Sequence, residues 1–540
     1  MSSPFFLLLL FSLFVAVFSQ TPQPRGFFLD CGSTVNSRIG GLQWLSDSPF
    51  VAAGIPRNLS LAGLAPTLST LRSFPFDPSA GPRKFCYVLS VFRGARYLVR
   101  TTYYYGGVNG PGSPPVFDQI VDGTFWTMVN TTADYAAGML SYYEGVFLAI
   151  GKTMSVCVAG NTYTESDPFI SALEVILLDD SVYNSTDFKK NAMGLIARSD
   201  FGSAGMIVRD KIVLRRSLGS AGTSQDVPIG MLGCWDVGKM VLSRHMGWYP
   251  DDKFDRCWQP FSNSNNDQSS THNISVSDFW NLPPANVLNT ALVAGSDKLF
   301  VFQWPPASLP NSSYYIALYF ADTLPESSRI FNVFINNYGF YSDLTVTSSG
   351  LAVFATQWSL SGLTRITLSA SPGSVLPPLI NAGEVFRLFP LGRVTHTGDI
   401  IALEAIKKNI SNPPLDWSGD PCMPREYAWT GVTCFEGTRI RVVTLNLSSM
   451  GLSGSISPSL ASLTALSDIS FANNNISGNI PDLSRLKRLE KLHLQDNQLT
   501  GRIPSSLGSI KRLSELFLQN NNLTGEVPAN LLKKPGLNIE

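Results

Sequence analysis

The sequence predicts a mostly β protein, two stacked β-sandwiches followed by a short solenoid, and two observations carry that expectation. From Val442 to Glu540 the apolar residues recur every 23 or 24 positions. A repeat of that length is a single strand-bearing unit that buries its apolar side only against its neighbours. Upstream, residues 26–390 read as short runs rich in Val, Ile, Tyr and Phe, such as 97–105, 153–159, 173–178, 314–320, 330–335 and 365–370. Gly, Pro, Asn and Asp clusters separate them, and no long segment with a 3.6-residue apolar period intervenes. That length accommodates two sandwiches of roughly 170 residues each.

The repeat is clearest from Leu489, followed by Leu492, Leu494, Asn497, Leu499, Gly501, Ile503, Pro504, Leu507 and Ile510. It recurs from Leu513 and, upstream, from Leu466, while a degenerate first copy at Val442 has Met450 in place of the asparagine and Ser457 in place of the proline. This is a leucine-rich repeat, and its short strands line a concave face suited to binding other macromolecules. The side chains between the ladder leucines face that surface. They are Ser467, Asp468, Ser470 and Ala472, then Glu490, Lys491, His493 and Gln495, then Ser514, Glu515, Phe517 and Gln519. Phe517 is the large apolar one and the natural anchor for a partner. Asn474, Asn497 and Asn521 are read as structural, bonding the backbone where it turns. Leu537 lies 24 residues after Leu513, so the sequence stops as a fifth repeat begins. A continuation towards a membrane span is therefore expected.

A chain of 540 residues exceeds one core. Its 40 basic and 40 acidic residues cancel, which argues against nucleic acid, bound chiefly through neutralised phosphates, and against a polybasic membrane patch. The apolar run from Phe5 to Phe18 is short for a bilayer span and reads as a signal peptide over residues 1–19. Nine Asn-x-Ser/Thr sequons (Asn58, Asn130, Asn184, Asn273, Asn311, Asn409, Asn446, Asn475 and Asn522) point to the secretory pathway and a glycosylated exterior. Of seven cysteines, Cys422 and Cys434, beside Trp417 and Trp429, are expected to form a disulfide that caps the solenoid. Cys31 with Cys86 and Cys234 with Cys257 are the further pairings favoured, with Cys157 a buried thiol, although spacing alone does not fix connectivity.

Catalytic patterns are missing from the sequence. His245, His272, His396 and His493 lack metal-ligand spacing, and there is neither a His-Glu-x-x-His motif nor a Gly-x-Ser-x-Gly elbow. Residues 145–153 approach a phosphate-binding loop, but Gly145 is one position too early and the stretch is apolar like a strand. No catalytic residue, cofactor site or metal site is expected. Asp251, Asp252 and Asp255 read as a solvated turn anchoring Arg256 in preference to a cation site. Tyr103, Tyr104 and Tyr105, ahead of Gly106-Gly107, place aromatic rings at a strand end, the chemistry that stacks on sugars. Strand alternation turns one or two of the three into the core.

The two halves of the β region echo each other. Residues 96–105 parallel 313–322, Phe117 with Trp126 parallels Phe331 and the strand after it, and 171–175 parallels 381–385. Residues 27–32 (FFLDCG), 72–75 (RSFP), 84–87 (KFCY), 248–258 (WYPDDKFDRCW) and 282–288 (LPPANVL), with the joint motifs 398–406 (GDIIALEAI) and 417–422 (WSGDPC), give the family resemblance. The chain resembles the ectodomains of plant malectin-like/leucine-rich-repeat receptor kinases, and equally kinase-less receptor-like proteins of that design. Cys257, where an aliphatic residue is expected, departs from the pattern.

The resemblance implies a malectin-like region at 26–390 with halves at 26–185 and 195–390, a joint at 391–441, and leucine-rich repeats at 442–540. It implies a non-enzymatic cell-surface or secreted protein for recognition and receptor-complex assembly. Its partners would be a receptor kinase or co-receptor ectodomain, with a glycan or peptide ligand. The alternative is a carbohydrate-binding protein that reads cell-wall or glycoprotein glycans through the tyrosines.

Overall fold

The computed structural model describes residues 24–203 and 251–540, apart from 62–63, 111, 263–265, 270–278, 296–297, 323–328 and 348. The signal peptide, Cys234, His245, His272 and Asn273 lie outside these residues.

One sheet of eleven strands runs through both halves of the β region. From the first half come Gly26–Asp30, Ala172–Leu177, Arg96–Tyr103 and Ser141–Leu148; from the second come Asn191–Phe201, Ala382–Pro390, Leu309–Phe320 and Leu351–Gly362, in that spatial order. The halves join where Gly145 faces Gly194 and Val146 faces Met193. Crowding requires glycine at 145, whereas a side chain at 194 would make ordinary contacts. A Cβ on Gly145 would lie 2.8 Å from the Phe147 ring and 3.0 Å from Trp126, and one on Gly194 would lie 3.4 Å from the same Trp126. The 145–148 stretch is thus a buried strand at the seam.

Each half covers its part of this sheet with a second antiparallel layer. In the first half the order is Arg83–Ser90, Thr153–Gly160, Val116–Val121, Thr124–Asn130; in the second it is Leu299–Gln303, Arg365–Ala370, Arg329–Ile335, Tyr338–Val346. The echo in the sequence is a register in the structure. Arg100 lies opposite Glu174 in the first half, and Ala317, its counterpart, lies opposite Glu384 in the second. Apolar alternation fixes this pairing, because a slip by one residue would turn each core set to the wrong face.

Charges buried in the large sheet tie the halves together. Arg100 pairs with Glu174 at 2.6 Å, with Glu144 at 3.0 Å and with Asp255 at 3.0 Å. Arg198 pairs with Glu144 at 2.7 Å and Glu384 at 2.6 Å. Burial pushes the Glu174 carboxyl up to about 8 against the pull of Arg100. The turn at 251–256 corrects the sequence reading. It does anchor Arg256, through Asp252 at 2.8 Å, but Asp252, Asp255 and Arg256 are buried, and of the three aspartates Asp251 alone faces water. The apolar neighbours Phe254 and Trp258 draw the turn inward.

The cysteine pairing also differs from expectation. Cys86 is bonded to Cys157, and Cys31 is a buried free thiol. Cys86 and Cys157 sit directly opposite each other on adjacent antiparallel strands, whereas Cys31 packs among Leu29, Leu71 and Tyr87 in the first-half core. Cys257 is disulfide-bonded.

The joint is docked onto the first sandwich. Lys84 Nζ donates to the carbonyl oxygens of Asp420 at 2.6 Å and Met423 at 2.5 Å, Tyr427 donates to Asp118, and the Cys86 N–H donates to Ser418 Oγ. Gly419, at φ +70°, sits so close to the Cys86–Cys157 bridge that a Cβ would come 2.6 Å from Cys86 Sγ. Cys422 and Cys434 form the expected disulfide, and the rings of Trp417 and Trp429 stack at 5.2 Å. The helix Thr397–Asn409 adds Ala402, Leu403 and Ile406 to one core that continues through all the repeats.

The solenoid has two parallel sheets. The concave one contains Ile440–Asn446, Asp468–Ser470, Lys491–His493, Glu515–Phe517 and Asn538–Ile539; the other contains Ser453–Ser455, Asn475–Asn479, Gln498–Gly501 and Asn522–Leu523. The asparagines act as read. Asn474 Nδ2 donates to the Leu447 carbonyl and its Oδ1 accepts from the Leu452 N–H, and Asn497 and Asn521 repeat the bridge one and two units on. Among the described residues no helix is long and apolar enough to cross a membrane.

Candidate functional site: the concave face of the repeats

In each repeat strand the central residue points into the core and its two neighbours point out, as a period of two requires. Ile469, Leu492 and Leu516 are the inward set. The in-register parallel pairing then builds two outward lanes. One runs Thr444, Asp468, Lys491, Glu515, Asn538; the other runs Asn446, Ser470, His493, Phe517.

The lanes meet in a cluster around Glu515. Lys491 Nζ lies 2.9 Å from one carboxylate oxygen and His493 Nε2 lies 3.0 Å from the other. The hydrogen bond from Lys491 holds the Glu515 carboxyl below its usual range, and Glu515 in turn raises the Lys491 ammonium. The Phe517 ring lies flat on the His493 ring, with centroids 4.5 Å apart and planes 14° from parallel. Phe517 is half-buried on this inner side, and the rest of its ring remains open to a partner. Around the cluster, Glu490 pairs with Arg512 at 3.3 Å, and Gln519 donates to Glu540 at 3.1 Å. Gln495 and Gln519, one repeat apart, each keep a carbonyl oxygen with no protein partner.

The structure therefore brings Asp468, Glu490, Lys491, His493, Gln495, Glu515, Phe517 and Gln519 onto one face. Ala472 is an exception, buried in the core. Asn446 and Thr444 were missed by the sequence reading, although one repeat length back from Ser470 and Asp468 would have found them. Asn446 is exposed and is itself a sequon, so sugar there would stand at the first-repeat end of the second lane.

The three tyrosines part company, and the sugar-facing set is corrected. Tyr103 is 1% exposed, its hydroxyl on Gln119, and Tyr105 is 2% exposed, its hydroxyl on the carbonyls of Gly110 and Ser113. Both side chains belong to the first-half core because they share one strand face, which leaves Tyr104 half-buried against Ala65, Leu68 and Leu140. Of the sequons, Asn58, Asn184, Asn311, Asn409, Asn446, Asn475 and Asn522 are exposed and Asn130 is half-buried.

The model of the malectin-like domain matches residues 29–215 and 231–388, and the chain belongs to that family. The leucine-rich repeat model matches residues 488–510 and 512–533. A leucine-rich repeat receptor-like serine/threonine-protein kinase of Arabidopsis thaliana is 31% identical over 480 residues, covering 84% of this chain and 49% of the relative. A receptor-like protein kinase of the same plant is 29% identical over 474 residues, 83% of this chain and 46% of the relative. The chain thus spans about half the length of the curated relatives it matches. Among solved structures it is similar to the ANX2 ectodomain from Arabidopsis thaliana, at 14% identity and a TM-score of 0.48, over 68% of this chain and 97% of that one.

Proposed function

We propose that this chain is the extracellular recognition region of a cell-surface signalling receptor, and that its concave repeat face docks a second receptor ectodomain. The observation that carries the reading is the Phe517–His493 stack beside the Lys491–Glu515 pair. A half-exposed aromatic ring framed by charges is the pattern of an interface anchor inside a polar rim. Kinship with receptor-like kinases supports the receptor part of the reading. Signal output falls to a kinase, on the same polypeptide or on the partner, and this region contributes binding in place of catalysis. The test is co-precipitation of the secreted chain with receptor kinase ectodomains from the same cells. Phe517→Ala and Glu490→Lys are expected to lose the complex while keeping the melting temperature, and an undiminished complex in both variants would refute the docking role.

A glycan reading keeps one specific support, Tyr104 at the end of the Arg96–Tyr103 strand beside Gly106-Gly107. Binding on a glycan array that is abolished by Tyr104→Ala would establish it.

A further inference from the structure

The second sandwich carries a groove whose lip is a glycosylation sequon. It is lined by Tyr338, Trp358, Asn336, Ser359 and Ser361, together with Asn311 itself, and encloses about 180 Å³. That is below the roughly 300–1,000 Å³ of pockets for drug-sized ligands and suits a unit no larger than one sugar ring. Tyr338 is 72% exposed, so its ring is open to stack on a group seated in the groove. The Trp358 ring packs in a T-shaped contact with the Phe340 ring, their centroids 5.2 Å apart.

Asn311 reaches the groove because its strand bulges there. Leu309 pairs with Gly362 and Ser312 with Leu360, so three steps on one strand match two on the other. A bulge of this kind re-aims a side chain out of the ladder. Asn311-Ser312-Ser313 is a complete sequon, and Asn311 is exposed.

We propose that the first N-acetylglucosamine of an N-linked glycan on Asn311 is seated in this groove, with its apolar face against Tyr338 and Trp358. The linkage forms when the Asn311 amide nitrogen bonds to C1 of a sugar carried on a lipid pyrophosphate. The C1–O bond breaks, the pyrophosphate leaves with the electron pair, and the amide nitrogen gives up one proton. Aromatic faces stack on sugar C–H faces, and the Asn336, Ser359 and Ser361 side chains at the rim supply polar groups for the hydroxyls and the acetamide. The sugar then acts as a covalent filler of the second sandwich, independently of any receptor partner.

The test uses the secreted full chain. Glycopeptide mass spectrometry first reads occupancy at Asn311. Peptide N-glycanase is then applied under native conditions, with release timed at Asn311 and at Asn475, an exposed sequon on the second solenoid sheet. Release at Asn311 is expected to be slower by about threefold to tenfold, the value of one aromatic contact. Tyr338→Ser should bring it to the Asn475 rate, and Tyr338→Phe, which keeps the ring, should not. An unmodified Asn311, equal release rates in the unaltered protein, or no effect of Tyr338→Ser would each overturn the proposal.

Discussion

The two sandwiches share strand order and register, yet each places its buried arginine on the opposite side of the same glutamate. In the first half Glu174 has Phe28 on one flank and Arg100 on the other; in the second, Glu384 has Arg198 and Ala317. The consequence is directional. Arg100 serves its own half and the 251–256 turn, whereas Arg198 stands on the strand next to the seam and also reaches Glu144 of the first half. Apolar alternation sets the shared frame, and the ionic residues decide what each half is fastened to.

The largest effect is expected where that fastening is cut. Arg198→Met leaves Glu144 and Glu384 buried with one cation fewer and should cost about 3–5 kcal/mol, read by chemical denaturation. A loss below about 1 kcal/mol, the worth of an exposed pair, would break the comparison. Lys84→Met comes next. It removes two charge-assisted bonds to the carbonyls of Asp420 and Met423 and should cost about 1.5–3 kcal/mol. Faster proteolysis within residues 391–441 is the readout, and an unchanged cleavage rate would mean that Lys84 does not hold the joint.

A smaller effect sharpens the likeness of the halves. Asp30 accepts a hydrogen bond from Thr70 and Asp200 one from Thr290, at matching places opposite Ala172 and Ala382. Burial pushes the two carboxyls up to about 6 and about 7 from 3.8. Both folded values lie above the unfolded one, so their contribution is complete below the unfolded value and is lost as pH rises through the folded values. Stability should therefore decline between about pH 4 and 7, with the unfolded chain binding fewer protons. Asp30→Asn and Asp200→Asn should each flatten that decline, and the double variant should flatten it most. A slope unaltered by either substitution would contradict the assignment.

Much of this was legible because it is periodic. The leucine ladder placed the concave residues, and the halves echo where 96–105 parallels 313–322 and 171–175 parallels 381–385. What escaped was cross-strand geometry. Nothing in spacing says that Cys86 and Cys157 face each other, since that depends on which strands pair. The Arg100–Glu174 and Arg198–Glu384 contacts were hidden for the same reason, and the charged turn at 251–256 read as solvated because its buried partners lie far off in sequence. For the tyrosines, alternation allowed one or two in the core; the structure chose Tyr103 and Tyr105.

The docking reading is tested most directly by the dissociation constant of the secreted chain for a captured receptor kinase ectodomain, compared between Phe517→Ala and Tyr104→Ala. The account predicts at least about a tenfold weakening with Phe517→Ala, equal to about 1.4 kcal/mol, and none with Tyr104→Ala. Full affinity in Phe517→Ala with weakening in Tyr104→Ala would contradict it and move recognition from the solenoid to the first sandwich.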